Sequence, residues 1–493
     1  MAEVNLPESW VLARYDDVYL SASNGTGGTQ NKERQGIPVS RIETIANENI
    51  DYDRIGFLAA YDKDKVEKHK LVKGDVLFSH INSPVHLGKT AIYDGEQSLY
   101  HGINLLRIVV DRQVVLPEVF NWHCKYTRGL GEFSLRAQHA VNQSSLNQKK
   151  LGEFEIPIPP LAEQKVIAKK LDTLLAQVDN TKARLERIPD ILKRFRQSVL
   201  AAAVSGKLTE EWREDNPSFK ALSLNEIESY WDLKYKNIGR KRQSLKLTET
   251  ELLGDIPPHW LSTKIGYVFD VFVGATPSRT VEEYWNGDLP WVSSSEVAFC
   301  RIDKTKEKIT EIGLKNTSTS LHPRGTVMLA MIGQGKTRGQ VAILDIEACH
   351  NQNTAALRVP EGFVVSEYLY FYLTKQYEET RRVGGGNNQQ ALNKSFVQSL
   401  EFPLPPYEEQ AEIVRRVEEL FAFADRIEQA AQAALSRVNN LTQSILAKAF
   451  RGELTADWRA VNPELISGEN SAEALLTRIK SERAKLKPKK AAK

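Results

Sequence analysis

The chain contains LNQKKLGEFEIPIPPLAEQ at residues 146–164, and it repeats this stretch as LNKSFVQSLEFPLPPYEEQ at residues 392–410. Further along, QSVLAAAVSGKLTEEWREDNP (197–217) returns as QSILAKAFRGELTADWRAVNP (443–463). The offset between the copies is 246 residues (392 minus 146) and has no gap. A period this long indicates two copies of a whole module and not a solenoid unit.

The segments in front of each copy, which we call the heads, keep only traces of the repeat. LPESW at residues 6–10 corresponds to IPPHW at residues 256–260, and the His-Gly-Ile-Asn that begins at His101 corresponds to the His-Asn-Gln-Asn that begins at His350. Everything else in the two heads diverges. We call the two repeated stretches the frames. Two similar frames with two dissimilar heads are the layout of a protein that recognises two different targets at a fixed separation.

Bulk composition narrows the class of protein. A chain of 493 residues predicts about three domains. The 66 basic and 63 acidic residues nearly balance, so net charge neither requires nor excludes a nucleic-acid partner. Three dispersed cysteines fit a reducing compartment, with no disulfide framework and no paired-cysteine metal site. We see no secretory signal and no membrane-spanning run, so we expect a cytoplasmic protein without membrane contact.

Each repeated frame predicts a proline-rich strand end followed by a long helix. Apolar residues recur at steps of three and four from Ile167 to Val199 and again from Ile413 to Ile445. About five heptads with a narrow apolar seam predict coiled-coil helices, or rods, of about 67 Å each. Gly206 and Gly452 follow the two helices, as C-terminal capping glycines often do.

The two rods are expected to pair with each other. The middle of the first rod is bulky at Leu185 and Ile188, whereas the middle of the second is rich in alanine around Ala431. Antiparallel pairing would set these centres against each other, large against small. Pro189 is predicted to kink or split the first rod because it removes one helical hydrogen bond.

These patterns predict an α/β protein with a pseudo-two-fold internal repeat. Two mixed α/β heads are separated by two long helices that form an antiparallel coiled coil. The Lys-rich end of the chain is predicted to be a frayed helix that leads into a disordered tail. The predicted domains are a first head (1–155), a central helix (156–212), a basic linker (213–254), a second head (255–402), a C-terminal helix (403–466) and a Lys-rich tail (467–493).

Two motifs that suggest an enzyme fail on inspection. Gly335-Lys-Thr resembles the end of a phosphate-binding loop, but Ala330 stands where that motif needs its first glycine. Leu404-Pro-Pro-Tyr resembles an amino-methyltransferase tetrapeptide, but leucine cannot accept a hydrogen bond from the target amine. The histidines and carboxylates show no metal-ligand spacing. We therefore expect no catalytic residue and no metal site in this chain.

Polar, glycine-containing loops in both heads are the candidate DNA-binding residues. Asn and Gln match adenine edges, Arg and Lys match guanine edges, and glycine lets backbone N–H groups approach phosphates. Any single such loop is more often an ordinary surface loop, but their recurrence in both heads favours a function. The first head offers Thr29, Gln30, Asn31, Lys32, Ser79, His80, Asn82, Lys89, Arg136, Gln138, His139 and Gln143. The second head offers Ser278, Arg279, Gln334, Lys336, Thr337, Arg338, Gln340, Asn387, Asn388, Gln389 and Gln390.

The chain resembles the specificity subunits of type I restriction–modification enzymes, in their type IA version. Residues 156–200, 404–428 and 440–459 carry this likeness most strongly, as the counterparts of the family's central and C-terminal shared regions. The resemblance implies two target recognition domains that read the halves of a bipartite, asymmetric site in double-stranded DNA. It also implies rods that set the unread gap and hold two adenine methyltransferase (M) subunits, to which two restriction (R) subunits can add.

The resemblance places S-adenosylmethionine, ATP and Mg on the partner subunits and no cofactor in this chain. Two alternatives stay open at this point. One is a DNA-modifying enzyme that acts alone, which binding of S-adenosylmethionine to the isolated chain would indicate. The other is a coiled-coil scaffold that does not contact DNA, which a salt-dependent gel shift by the assembled complex would exclude.

Overall fold

The computed structural model of the chain describes residues 6–31, 33–83, 86–140, 143–218, 220–239, 242, 256–333, 336–382 and 392–486. These residues form two units. The first unit consists of Met1–Glu186 together with Gln432–Lys493, and the second consists of Arg187–Ala431. The first unit therefore combines the first head with parts of both sequence copies. Within the described part of the chain, every helix is too short or too polar to span a lipid bilayer.

The secondary structure of both units is mixed, as predicted. The elements of the first head are β1 (Val11–Arg14), α1 (Tyr15–Val18), β2 (Tyr19–Asn24), β3 (Ile37–Val39), β4 (Gly56–Leu58), α2 (Lys63–Glu67), β5 (Val76–Phe78), β6 (Ile81–Asn82), β7 (Thr90–Ile92), β8 (Leu106–Val110), α3 (Pro117–Gly129), α4 (Glu132–Arg136), β9 (Gln138–Ala140) and β10 (Gln143–Ser145). The first frame follows with α5 (Gln148–Gly152), β11 (Glu155–Ile158), α6 (Leu161–Glu186), α7 (Ile188–Val204), α8 (Glu210–Asp215) and α9 (Leu224–Asn237).

The second half of the chain has a similar order of elements. Its head contains β12 (Leu261–Lys264), α10 (Ile265–Val268), β13 (Asp270–Val273), β14 (Trp285–Val292), β15 (Cys300–Ile302), β16 (Glu307–Ile309), α11 (Glu311–Lys315), β17 (Val327–Ala330), β18 (Val341–Leu344), β19 (Cys349–His350), β20 (Thr354–Arg358), α12 (Ser366–Lys375) and α13 (Tyr377–Arg382). Its frame contains α14 (Lys394–Ser399), β21 (Glu401–Leu404), α15 (Tyr407–Phe450), α16 (Ala456–Val461) and α17 (Ala472–Leu486).

The two heads share one sheet topology despite their divergent sequences. The strand order is β2-β8-β5-β7 in the first head and β13-β20-β17-β18-β15 in the second, so the first four positions correspond. In each head the proline-rich strand of the frame pairs antiparallel with the first strand of the head, as β11 with β1 and β21 with β12. Each head is therefore joined to its frame by a two-stranded sheet. The predicted fold class is confirmed.

The long helices pack in antiparallel fashion within each unit. In the first unit, Ile167 and Leu171 near the start of α6 share one core with Leu446 and Phe450 near the end of α15. In the second unit, Val199 and Ala203 near the end of α7 share one core with residues near the start of α15, which are Ile413, Val414 and Val417. Pairing of the rod centres at Leu185, Ile188 and Ala431 stays a prediction.

Pro189 splits the first rod, as the sequence predicts. Helix α6 ends at Glu186 and α7 begins at Ile188, which places Pro189 in the first turn of a new helix. Proline is tolerated there because an N–H group in the first turn has no partner within its helix. The second rod has no such proline and continues as the single helix α15.

A buried carboxylate in each unit joins three distant segments. In the first unit, the fully buried Glu163 accepts hydrogen bonds from Trp10 Nε1 at 2.8 Å and from Thr455 Oγ1 and Arg459 Nη1, both at 2.5 Å. In the second unit, Glu409 accepts the equivalent bonds, from Trp260 Nε1 at 2.8 Å and from Thr209 Oγ1 and Arg213 Nη1, both at 2.7 Å. The acid of each copy thus meets the Thr and Arg of the other copy.

The glutamine that follows each buried acid fastens the frame to its head. Gln164 Nε2 donates to the carbonyls of Val114 at 2.7 Å and Pro159 at 2.9 Å, and its Oε1 accepts from Leu116 N at 2.9 Å. Gln410 makes the same three kinds of contact with the second head. The repeated Glu-Gln pair is therefore structural in both units.

The Lys-rich C-terminal segment is more ordered than its composition predicts. Leu476 and Ile479 of α17 are buried in the core of the first unit. Arg483 donates to the Asp111 carboxylate at 2.7 Å and to the backbone carbonyl of Asp17 at 3.0 Å. The prediction of a frayed helix was wrong for residues 472–486, because long-range contacts supply the apolar and ionic partners that the segment lacks by itself.

In the second unit, the predicted basic linker also contributes a packed helix. Trp231 of α9 is buried and donates its indole N–H to the Val268 carbonyl at 2.9 Å. Arg242 donates to the carbonyls of Tyr267 at 3.1 Å and Phe269 at 3.0 Å. Arg242 of the predicted basic linker thus binds the second head through these two carbonyls.

Candidate nucleic-acid interface

The polar loops predicted in the first head lie at residues 24–32, 79–89 and 136–143, and the second and third of them meet in one small sheet. Strands β6, β10 and β9 form a three-stranded antiparallel sheet in that order. Ser144 of β10 lies opposite Asn82 on one side and His139 on the other. The loop that contains Ser79, His80 and Asn82 is thereby brought beside the loop that runs from Arg136 to Gln143.

Asn24 lies at the end of β2, where the loop at residues 24–32 begins. Through His80, its side chain connects this loop to the region of the small sheet. Its Nδ2 lies 3.1 Å from Nε2 of His80 and 3.2 Å from the carbonyl oxygen of Ile103. Gln148 Nε2 donates to Asn24 Oδ1 at 3.1 Å. These three side chains line a cleft of about 530 Å³ whose other walls are Ile81, Ser145, Leu146, Asn147 and Lys149.

The imidazole of His80 is held in one neutral form. His80 is only 5% exposed, and burial lowers the pKa of its ring to about 4. Because Asn24 Nδ2 also donates to a carbonyl, we assign its amide as a donor to His80 Nε2, which leaves the proton on Nδ1. His80 Nδ1 is buried and has no hydrogen-bond partner among the residues that the structure describes.

Gln148 was not among the residues predicted from the sequence. It lies at the start of the repeated frame, next to Asn147, which has a structural role. Asn147 caps α5 by accepting from Lys150 N at 2.8 Å. A local signal was available, because the second copy replaces Gln148 with Lys394 while it keeps the capping asparagine as Asn393.

Several predicted residues of the first head are already engaged within it. Asn31 closes its own loop through the Gln35 and Phe57 carbonyls. Lys89 Nζ donates to the Ala46 carbonyl at 2.6 Å, and burial lowers its pKa. Ser79 is buried. Ser79 is therefore enclosed, whereas Asn31 and Lys89 are half-buried and held by hydrogen bonds within the head.

The remaining predictions in the first head divide by exposure. Thr29, Gln30 and Gln138 are exposed, and Arg136 is exposed with its guanidinium 4.6 Å from the centre of the Phe154 ring. Asn82, His139 and Gln143 are placed by backbone register alone. Lys32 lies outside the described residues.

In the second head, Arg279 is held against two tryptophans. Its guanidinium lies 3.8 Å from the centre of the Trp285 ring and 5.4 Å from that of Trp291. Glu307 accepts two hydrogen bonds from it, one of them from Nη2 at 2.9 Å, and this pairing raises the pKa of Arg279. Ser278 contacts the neighbouring Thr280 hydroxyl at 2.9 Å. In this arrangement the donors of Arg279 are directed to a carboxylate of the protein.

The loop at residues 336–340 packs against α13. Tyr377 donates its hydroxyl proton to the Lys336 carbonyl at 2.6 Å, and Arg338 Nη2 donates to the Arg381 carbonyl at 2.9 Å. Lys336 is exposed, whereas Thr337 and Gln340 are half-buried. The other predicted residues of this head lie outside the described residues; they are Gln334, Asn387, Asn388, Gln389 and Gln390.

The cleft of the first head has a chemically different counterpart in the second. The backbone bond from Leu146 N to the His80 carbonyl, at 2.8 Å, recurs from Leu392 N to the Met331 carbonyl at 3.2 Å. Gly25 and Gly274 also correspond, because a Cβ at either would lie 2.0 Å from a carbonyl oxygen, that of His101 or His350. The counterparts of Asn24, His80 and Gln148 are therefore Val273, Met331 and Lys394. The same backbone arrangement therefore carries a hydrogen-bonding surface in the first head and a mainly apolar surface in the second.

Comparisons with known proteins agree with this architecture. Residues 7–190 and 257–437 match the model of the type I restriction modification DNA specificity domain. The specificity subunit of the type I restriction enzyme EcoBI from Escherichia coli is 39% identical over 361 residues, which cover 71% of this chain and 69% of that protein. The StySPI specificity subunit from Salmonella potsdam is 39% identical over 360 residues, 69% of this chain and 67% of that protein. The crystal structure of the HsdS subunit from Thermoanaerobacter tengcongensis has a similar fold, with a TM-score of 0.57 at 18% identity over 92% of this chain and 99% of that one.

Proposed function

Because the chain belongs to the type I restriction–modification DNA specificity family, we propose that it reads a bipartite, asymmetric DNA target for a type I complex. This membership confirms the resemblance inferred from the sequence. One observation supports the asymmetry of the target. Two heads of the same strand order present different side chains at equivalent places, with Asn24, His80 and Gln148 in one and Val273, Met331 and Lys394 in the other. Surfaces that differ in this way favour different base pairs.

The same proposal assigns the chemistry to partner subunits. The chain binds two adenine methyltransferase subunits, and two restriction subunits join them for ATP-dependent cleavage. S-adenosylmethionine, ATP and Mg belong to those partners, and this chain supplies recognition without catalysis. The exposed outer face of α6, with Lys165 and Lys169, is available as docking surface in the first unit.

The proposed reading surface is the set of exposed polar side chains on the loops of each head. Thr29, Gln30, Arg136 and Gln138 serve the first head, and Lys336 serves the second. Lys and Arg on such loops contact phosphates or guanine, whereas Gln fits an adenine edge. Asn31, which binds its own loop, and Lys89, which binds the Ala46 carbonyl, fix the shape of the surface without touching a base.

Reconstitution with methyltransferase subunits tests the proposal. The purified chain, the partner subunits and S-adenosylmethionine are incubated with genomic DNA, and methylated adenines are then mapped. We expect methylation at one two-part site with the complete mixture and none with the chain alone. Methyl transfer by the chain alone would favour a modifying enzyme that acts by itself. An assembled complex that gives no salt-dependent gel shift would favour a scaffold that does not contact DNA.

A further inference from the structure

We propose that Gln148 reads the edge of an adenine in the half-site bound by the first head, and that Asn24 and His80 position it. The inference rests on the proposed function, because it names the base that one cleft of a DNA-reading head recognises. It depends on a chain of three polar side chains that runs from the interior of the head to its surface. Each of these side chains fixes the orientation of the next one.

The interior end of this chain is His80, which follows the buried strand β5. Its backbone is fixed because its carbonyl oxygen accepts from Leu146 N at 2.8 Å. The ring is almost fully buried, and the contact with Asn24 Nδ2 at 3.1 Å requires a free lone pair on Nε2. The imidazole therefore acts as a fixed acceptor.

Asn24 is the middle member, and both of its polar atoms are used. Its Nδ2 group donates to His80 Nε2 and to the Ile103 carbonyl at 3.2 Å, which determines how the amide is oriented. Its Oδ1 consequently faces Gln148 and accepts from Gln148 Nε2 at 3.1 Å. A reversed Asn24 amide would place Nδ2 against Gln148 Nε2, and both of these are donors. It would also place Oδ1 against the Ile103 carbonyl oxygen, and both of these are acceptors.

Gln148 is the exposed member, and part of its amide is not used in hydrogen bonds to the described part of the protein. Among the residues that the structure describes, its only hydrogen bond is the one to Asn24. One N–H of Nε2 and the whole of Oε1 remain for a ligand. An acceptor beside a donor matches the N6–H and N7 of adenine, whereas guanine presents two acceptors at O6 and N7. Asn24 prevents the amide from flipping, so the acceptor and the donor of Gln148 keep a fixed order towards the base.

The second head lacks this chain of hydrogen bonds. Val273 and Met331, which replace Asn24 and His80, can neither orient an amide nor accept a proton from one. Lys394, in the place of Gln148, is a cation with donors only. The adenine specificity we infer therefore belongs to one half-site and has no equivalent at the corresponding position of the other.

The direct test uses the complete methyltransferase complex with a library randomised in the first half-site. Gln148→Ala should lose discrimination at one adenine by about 5- to 150-fold, with the other positions and the second half-site unchanged. Gln113→Ala is the matched control, because Gln113 is exposed in the same head and does not line the cleft. Unchanged preference in the Gln148→Ala complex, or loss of discrimination at a base other than adenine, would overturn the inference.

The positioning role of His80 is tested with two further variants. His80→Leu removes the acceptor for Asn24 and should relax the same adenine position as Gln148→Ala, whereas His80→Gln, whose Oε1 can accept, should restore part of the discrimination. A merely structural role would make both variants equally unspecific. Relaxation by His80→Leu at positions other than that adenine would contradict a role that acts through Gln148.

DNA analogues test the contact even where a variant folds poorly. Replacing each adenine of the first half-site in turn with 7-deazaadenine removes the N7 acceptor without altering the protein. We expect one position to lose about 5- to 150-fold in methylation efficiency with the natural complex. At that position Gln148→Ala should show no further loss. Equal efficiency at every position would overturn the inference, whereas failure of the natural complex to methylate any two-part site would overturn the proposed function itself.

Discussion

Thr455 donates a 2.5 Å hydrogen bond to the carboxylate of Glu163, although 292 residues separate the two in the chain. Glu163 belongs to the first sequence copy and Thr455 to the second, but both lie in the first unit. Thr209 and Glu409 repeat the relationship in the second unit, at 2.7 Å. Each unit is therefore completed by a segment of the other copy, and the internal repeat does not coincide with the folded units.

Breaking the buried ion pair should destabilise the first unit strongly. Arg459→Met leaves the fully buried Glu163 without its cation, and we expect a loss of about 3–5 kcal/mol in the free energy of unfolding. Arg451→Met is the control, because its ion pair with Glu453 is exposed and should contribute little. Denaturant unfolding of both variants measures the difference. Similar small losses would mean that the buried pair does not join the segments.

Removing either Gln164 or Gln410, which fasten the frames to the heads, should lower the free energy of unfolding. Gln164→Leu leaves the Leu116 N–H and the carbonyls of Val114 and Pro159 without this partner, and we expect a loss of about 3 kcal/mol. Gln410→Leu should cost a similar amount in the second unit. Gln177→Leu, on the exposed face of α6, is the control and should stay within about 0.5 kcal/mol of the parent. Denaturant unfolding measures all three, and a loss for Gln164→Leu no larger than for Gln177→Leu would contradict the role.

Mild acid should destabilise the second unit through His350. Burial lowers the pKa of His350 to about 4, from 6.5 in the unfolded chain. Its Nε2 faces Nε2 of His322 at 3.1 Å, and Arg358 lies on the far side of that second ring. The folded state therefore binds fewer protons than the unfolded state between these two pH values.

The stability that neutral His350 contributes is complete above pH 6.5 and is lost as the pH falls towards 4, by about 1.4 kcal/mol per pH unit. Unfolding free energies measured at intervals between neutral pH and pH 4.5 should show this slope. The slope should be shallower in His350→Gln, which has no titrating ring at that position. Equal slopes for the two proteins would show that His350 is not the group responsible.

Releasing Arg279 from its carboxylate should strengthen DNA binding by the second head. In Glu307→Gln the guanidinium keeps its place on Trp285 but loses the opposing charge. If it then contacts one phosphate, the slope of log K against log salt should steepen by about 0.9. Glu282→Gln removes one exposed negative charge from the same head and serves as the control. Identical slopes in the two variants would argue against a contact between Arg279 and DNA.

Exchanging the first head should alter one half-site only. We expect replacement of residues 1–145 by the head of a related specificity subunit to change that half-site and leave the other as before. The donor head should retain acceptors equivalent to Asp17 and Asp111, because Arg483 of α17 binds both. Methylation mapping gives the answer, and a change in both half-sites would contradict separate reading by the two heads.

Local patterns in the sequence were enough for much of the fold. The proline-rich strand ends, the two long helices that follow them and the break at Pro189 all depend on residues close together in the chain. Heptad spacing predicted rods that need a partner, and the contrast between the bulky centre of one rod and the alanine-rich centre of the other predicted that they pair antiparallel. Family membership followed from the same repeated frames and is confirmed.

The candidate reading surface was predicted only at the level of loops. Polar composition pointed to these loops as candidates, but it did not separate Asn31 and Lys89, which bind their own head, from exposed residues such as Gln138. Gln148 was missed because its importance comes from Asn24 and His80, which are 124 and 68 positions away (148 minus 24, and 148 minus 80). Hydrogen bonds between such distant residues leave no periodic signal in the chain.

By itself, the sequence determined the elements, the repeat and the family, because helix and strand preferences and apolar periodicity act between near neighbours. Only the tertiary structure decided that Glu163 would take its partners from the second copy, that α17 would fold onto the first head, and that Gln148 would be oriented from the interior. Each of these depends on burial and hydrogen bonding between segments far apart in the chain. The energy of such contacts is set by the surrounding packing and not by the identity of neighbouring residues.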